Sequence, residues 1–298
     1  RSQVGERTAT VTIAAAVIGQ RVDIDLLGAV TGVDQLELLD LLEEALDAGL
    51  LAEDEDIGWV TFPHALVRQA LIARTTRNRE AQLHLRFADA LEQGTDHAGD
   101  ALPAIADHLL RAGRLCPPQR AGAAAVAAGR RSLDMYAAAE ADSWAERAAT
   151  VLASAPDPEA VWEVRAEVDL VLEEANRRLG RADRTIAALG RVIEAARAHD
   201  DARLLARAAQ ERALINADVG FHFGLIDHEL IALLDEAIAR LDEAELPERV
   251  TLLAWSSVVR SALPDEGRQK DLARRAEALA VGIEDRPDIE TLVLLALR

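Results

Sequence analysis

From Arg79 onward, apolar residues recur every three or four positions, block after block, to the end of the chain. That spacing places them on one face of successive amphipathic helices. The periodicity predicts helices over residues 80–93, 102–112, 120–136, 138–152, 158–179, 182–199, 202–217, 226–244, 248–263 and 267–282. Connections such as Leu179-Gly180-Arg181-Ala182-Asp183 and His199-Asp200-Asp201 are short, so consecutive helices are expected to pack antiparallel. A helix and its turn occupy about 20 residues and a pair about 40, within the range of helical repeats. The blocks SWAERAATVLAS, LIALLDEAIARL and LARRAEALA share the small-and-large alternation of tetratricopeptide repeats, without one full consensus unit.

The first part of the chain has a different texture. Residues 8–19 read as a short apolar helix ending at Gly19, and Asp23 or Asp25 is placed to cap a second helix over 26–30. Asp34 opens a third, DQLELLDLLEEALDAG, which stops at Gly49 with Leu38, Leu39, Leu42, Ala45 and Leu46 on its apolar face. Leu50-Leu51-Ala52, an acidic tip Glu53-Asp54-Glu55-Asp56, and Trp59-Val60-Thr61-Phe62 then read as a two-stranded hairpin, and a further helix runs from Pro63-His64 to Ala73. Three helices followed by a two-stranded wing is the layout of a winged helix. The expected architecture is therefore all-α: a small winged helix domain with a short β-hairpin over residues 1–78, then a tetratricopeptide-like helical solenoid over 79–298.

Composition narrows the function. Only 3% of residues are aromatic while 50% are hydrophobic, so Ala, Leu and Val must fill the interior. Net charge is −19, and residues 1–95 carry 8 Arg against 16 acids. Neither part has the basic balance needed to neutralise phosphates, which argues against nucleic acid and against anionic membranes. The third helix sharpens this: Asp34, Glu37, Asp40, Glu43, Glu44 and Asp47 would set like charge against a DNA backbone. The winged helix is expected to contact protein. Cys116 is the single cysteine, read as apolar filler in a reducing, cytoplasmic setting. No apolar run approaches the roughly 20 residues of a membrane span. The first residues carry neither an initiator Met nor a signal-peptide core, so the chain is expected to begin in mid-protein.

Catalytic signatures are absent. No two glycines stand two apart, Lys270 (the lone lysine) lacks a phosphate-cradle context, and there is no nucleophile elbow or zinc helix. His222, Asp227 and His228 come nearest to a metal cluster but match no common ligand spacing. Glu43-Glu44 and Glu173-Glu174 read as solvated surface. No catalytic residue and no metal site is expected, and the chain reads as non-enzymatic.

Residues 14–92 carry a resemblance. The AAAVIG…DIDLL opening, the stretch LELLDLLEEALDAGLL and the FPHALVRQAL of residues 62–71 together resemble the winged helix region of STAND-type ATPases. More narrowly, they are similar to the large LuxR-type transcriptional regulators and their cyclase-linked relatives. The later LIDHELIALLDEAIARL and LARRAEALA resemble the helical-repeat region of the same proteins. In that family an ATP-binding module, a winged helix, a tetratricopeptide-like sensor and often a DNA-binding helix-turn-helix follow one another. This sequence matches the middle two.

The resemblance implies a segment without its own cofactor, coupled to ATP or ADP held by an upstream ATPase module of the same chain. It implies an effector, protein or small molecule, on the repeats, and oligomerisation of the parent. It places His64 where such winged helices often sense the ADP diphosphate, with capping or packing as the ordinary alternative. Arg68, one turn on, either supports phosphate or pairs with a surface acid, the second being the plainer expectation. On the repeats, Trp162, Trp255 and Phe221-His222-Phe223 are candidate effector contacts in a chain poor in aromatics, although helix packing accounts for the tryptophans as simply. An interaction scaffold without nucleotide linkage is the competing reading.

Overall fold

Gly5 and Glu44 set the first contact of the fold: the Gly5 N–H donates to Glu44 Oε1 at 2.7 Å, and the Thr8 hydroxyl bonds to Oε2 of the same carboxylate. A side chain of α3 (Gln35–Asp47) thereby anchors the start of α1 (Glu6–Ile18). In this computed structural model the described residues are all except 1–3, 95–97, 221–225, 243, 262, 264–265, 282, 284–286 and 298. Contacts divide the chain into two compact units, residues 1–171 and 172–298.

The first unit opens with the expected helices. Asp23 caps α2 (Ile24–Thr31), its carboxylate accepting from the N–H groups of Asp25 and Leu26, and Asp34 caps α3 in the same way through Leu36. Gly32 and Gly49 take positive φ (69° and 68°) just beyond α2 and α3, where an L side chain would be strained. Val11, Ala14, Ala15, Val17, Leu27, Leu38, Leu42 and Ala45 bury their side chains in one core with Val60 and Phe62.

The β structure departs from the expected hairpin. Three strands form one antiparallel sheet in the order β1 (Arg21–Asp23), β3 (Trp59–Thr61), β2 (Ala52–Glu53). Arg21 lies opposite Thr61 and Ala52 opposite Thr61 on the other side. β1 has one apolar residue, Val22, so no alternation could reveal it; its backbone partners come from β3 instead. The extra strand also changes the tip. Arg21 reaches across to donate twice to Asp54 at 3.0 Å, and once more to Asp56, with its guanidinium 4.2 Å from the Trp59 ring centre. Those bonds hold the Asp54 carboxyl below its ordinary range.

Beyond the sheet, α4 (Ala65–Ala73), α5 (Arg77–Gln93), α6 (Ala98–Arg111), α7 (Pro118–Asp134) and α8 (Ala138–Leu152) follow in sequence. α5, α6, α7 and α8 pack each against the next. Small residues permit this closeness: a Cβ on Gly122 of α7 would lie 2.8 Å from Leu152 of α8. Cys116 sits in the α5–α6–α7 core at 1% exposure, and burial pushes its thiol up from the ordinary value. α9 (Trp162–Arg178) follows.

The second unit contains α10 (Ala182–Ala198), α11 (Ala202–Gly220), α12 (His228–Arg240), α13 (Leu246–Val259), α14 (Glu266–Ala280) and α15 (Pro287–Ala296). The series of expected helices ends at residue 282 and leaves out α15, a ten-residue helix with three buried positions. From α10 to α15 consecutive helices touch, and α11 also meets α13, as α13 meets α15. Contacts between neighbouring and between alternate helices are those that stacked helical hairpins make. α13 lies at its centre, buried without a break from Leu252 to Val259. Among the described residues, no helix is long and apolar enough to cross a membrane.

Candidate functional site

His64 is placed by the end of the sheet. Phe62 is buried at 2% exposure, and its N–H donates to the Gln20 carbonyl at 2.9 Å, while the Gln20 amide returns a bond to the Phe62 carbonyl. Pro63 then ends the strand, and His64 takes an extended conformation (φ −140°, ψ 130°) as the N-cap of α4. Its carbonyl accepts from the N–H of Val67 at 3.0 Å, but its imidazole is exposed and makes no capping bond. The ring is neither packed nor engaged as a cap.

Arg68 corrects the simpler expectation of a surface ion pair. Its Nε donates to the Ala16 carbonyl at 2.8 Å. Ala16 lies in the last turn of α1, where carbonyls have no partner within the helix, and a guanidinium there also meets the negative end of the helix dipole. Burial lowers the Arg68 pKa from its usual value. Replacing Arg68 by Met is expected to leave that carbonyl unpaired and to destabilise the chain by about 1–2 kcal/mol, read from the urea midpoint. An unchanged midpoint would show that the bond carries no weight.

Behind Arg68 is a group that the sequence did not indicate. His84 of α5 and His108 of α6 are buried at 3% and 6% exposure, with their Nδ1 atoms 2.7 Å apart. One ring must donate and the other accept. His84 Nε2 faces Glu80 Oε1 at 3.9 Å, which favours a proton on that nitrogen. His108 is then the donor through its Nδ1–H. Desolvation pushes both pKa values down to about 4, helped at His84 by the neighbouring ring and by Arg111. Asp107 opposes this, but its carboxylate is already held by Arg111 at 2.8 Å and by Arg147 of α8 at 2.7 Å. Two neutral imidazoles therefore join α5 to α6 beside the Phe87 ring.

In the second unit, the reading of Glu173-Glu174 as solvated surface fails for its first member. Glu173 is 1% exposed, and burial together with the charge of Glu211 raises its pKa to about 7. Arg177 Nε bonds Glu173 Oε1 at 3.2 Å, and Arg177 Nη2 approaches Glu211 Oε2 at 3.8 Å. Glu173 Oε2 and Glu211 Oε2 are buried without a hydrogen-bond partner. One arginine thus serves two carboxylates that lie on different helices.

The remaining sequence candidates do not converge. Trp255 is buried in α13 at 7% exposure, and Trp162 is half-buried at the start of α9. Phe221, His222 and Phe223 lie outside the described residues. Asp227 caps α12 through Leu230 and binds Arg212 at 2.7 Å. Among the described residues, no three His, Cys, Asp or Glu side chains are grouped to hold a metal.

No family model matches the chain, and no curated protein does. One solved structure it resembles is a signal transduction ATPase with numerous domains (STAND) carrying a tetratricopeptide repeat sensor, from Pyrococcus horikoshii. The match has 11% identity and a TM-score of 0.45, and covers 98% of this chain but 47% of that one. The chain thus spans about half the length of that protein, and at this TM-score the likeness carries no weight for fold or function.

Proposed function

We propose that this chain is the non-catalytic middle of a STAND-type signalling ATPase of the large LuxR-regulator kind. In this reading residues 1–78 form a winged helix that reports the nucleotide state of an upstream ATPase module, and the helices beyond them form an effector-binding arm. The observation that carries the reading is His64: an exposed imidazole at the N-cap of α4, held in place by the buried Phe62 and free of any capping duty. A helix N-terminus favours phosphate through its backbone N–H groups, and an imidazole beside it adds a donor. The acidic face of α3 supports a protein rather than DNA as the neighbour, because Glu37, Asp40, Glu43 and Asp47 would repel phosphates.

Effector binding on the repeats would bias this switch only by favouring one of its two states, so the segment needs no chemistry of its own. In the parent protein, His64→Ala is expected to shed bound ADP about tenfold faster during gel filtration, the equivalent of one lost charge-assisted hydrogen bond. Unchanged ADP retention would remove the nucleotide link and leave a helical interaction scaffold.

A further inference from the structure

A cleft of about 450 Å³ opens between α1, the α2–α3 corner and α5. Its floor is apolar: Val11, Ala14 and Val30 are buried, and Val33, Leu41 and Leu83 close the sides. Its rim is basic. Arg7, Arg79 and Arg86 line it against one acid, Glu6, in a chain whose net charge is −19. Arg7 is engaged with Glu37. Arg79 and Arg86 have no carboxylate within ion-pair distance among the described residues. They stand seven residues apart on α5, with Gln82 and Leu83 on the same face. Two helical turns separate them by about 10 Å along the axis, a gap that two long guanidinium side chains can close around one anion.

We propose that this cleft is a binding site for a small amphipathic acid, with its apolar body on the Val11–Val30–Leu83 floor and its carboxylate or phosphate between Arg79 and Arg86. The volume lies in the range of small-molecule pockets, which combine an apolar lining with a few placed polar groups. Exposed carboxylates dominate this chain, so a local surplus of guanidinium is where an anion is drawn and where a neutral or cationic amphiphile gains nothing. The site is independent of His64 and of any nucleotide.

The experiment is calorimetric titration of the 298-residue chain with decanoate and with decyl phosphate, each below its micelle concentration. Decanol supplies the same body without charge. Saturable binding at one site is expected, weakened at least about tenfold in the Arg79→Ala/Arg86→Ala double variant and in decanol. Both arginines are exposed, so the variant retains the fold, checked by an unchanged urea midpoint. Vesicles of phosphatidylglycerol separate a free acid from a lipid surface. Monomer binding that needs both arginines supports the proposal. It is overturned by the lack of saturable monomer binding, by vesicle binding alone, by equal affinity for decanol, or by a double variant that binds as well as the parent chain.

Discussion

Between pH 6.5 and pH 4 the first unit is expected to lose on the order of 3–6 kcal/mol of stability through the His84–His108 pair alone. Both rings are held neutral in the folded chain, their pKa values lowered from 6.5 to about 4. In the unfolded chain each takes up its proton near 6.5, so the unfolded state binds more protons across this window. Stability from the pair is therefore fully present above pH 6.5 and is lost as pH falls through 4. The charges around it do not reverse the sign: Arg68 from α4 and Arg111 from α6 oppose protonation, while Glu80 and Asp107 favour it weakly or are already paired. Urea midpoints at pH 7 and pH 4.5 read the loss directly. The His84→Leu/His108→Leu variant, which removes donor and acceptor together, is expected to keep near parent stability at pH 7 and to lose the histidine share of the acid sensitivity. His84→Leu alone strands the His108 N–H and is expected to cost about 1–3 kcal/mol at pH 7. If the double variant showed the same drop at pH 4.5 as the parent chain, the pair would not be the cause.

Neither histidine could have been singled out from the sequence, because what distinguishes them is a contact 24 residues apart across two helices. Local features were legible where their cause is local. Asp23 and Asp34 announce their helices because a cap acts within three residues, and Gly32 and Gly49 end theirs because of one backbone angle. The helix period is legible for the same reason. Strand β1 was hidden, since three residues with one buried side chain carry no period, and only pairing with β3 defines them. The Arg68 bond is not legible in the sequence, because its acceptor is a backbone carbonyl 52 residues earlier, and every residue type has one. His64 was indicated by its motif, but the freedom of its ring from capping is visible only in the fold. The basic rim of the cleft was masked by averaging, since residues 1–95 are acidic overall while Arg7, Arg79 and Arg86 gather on one side.

Glu173→Gln is expected to stabilise the chain at alkaline pH by on the order of 3 kcal/mol, an unusual sign for a buried polar residue. The folded state raises the Glu173 pKa from 4.5 to about 7, so it binds more protons than the unfolded state between those values. Stability from protonated Glu173 is fully present below pH 4.5 and is lost as pH rises through 7. Above that, two carboxylates compete for Arg177 in a buried setting, each with one oxygen unpartnered. Glutamine keeps an oxygen for Arg177, brings an N–H₂ that can donate toward Glu211, and cannot ionise. The urea midpoints of parent and variant should therefore converge near pH 4.5 and separate by pH 9, with the variant the more stable. A constant difference across that range would mean that Glu173 stays ionised throughout. Glu173→Leu provides the contrast: it too cannot ionise, but it frees Arg177 for Glu211 while offering no donor of its own. A smaller gain for Leu than for Gln would assign the difference to the amide's own bonds, its oxygen to Arg177 and its N–H₂ toward Glu211. Equal gains would assign the whole effect to removal of the buried charge.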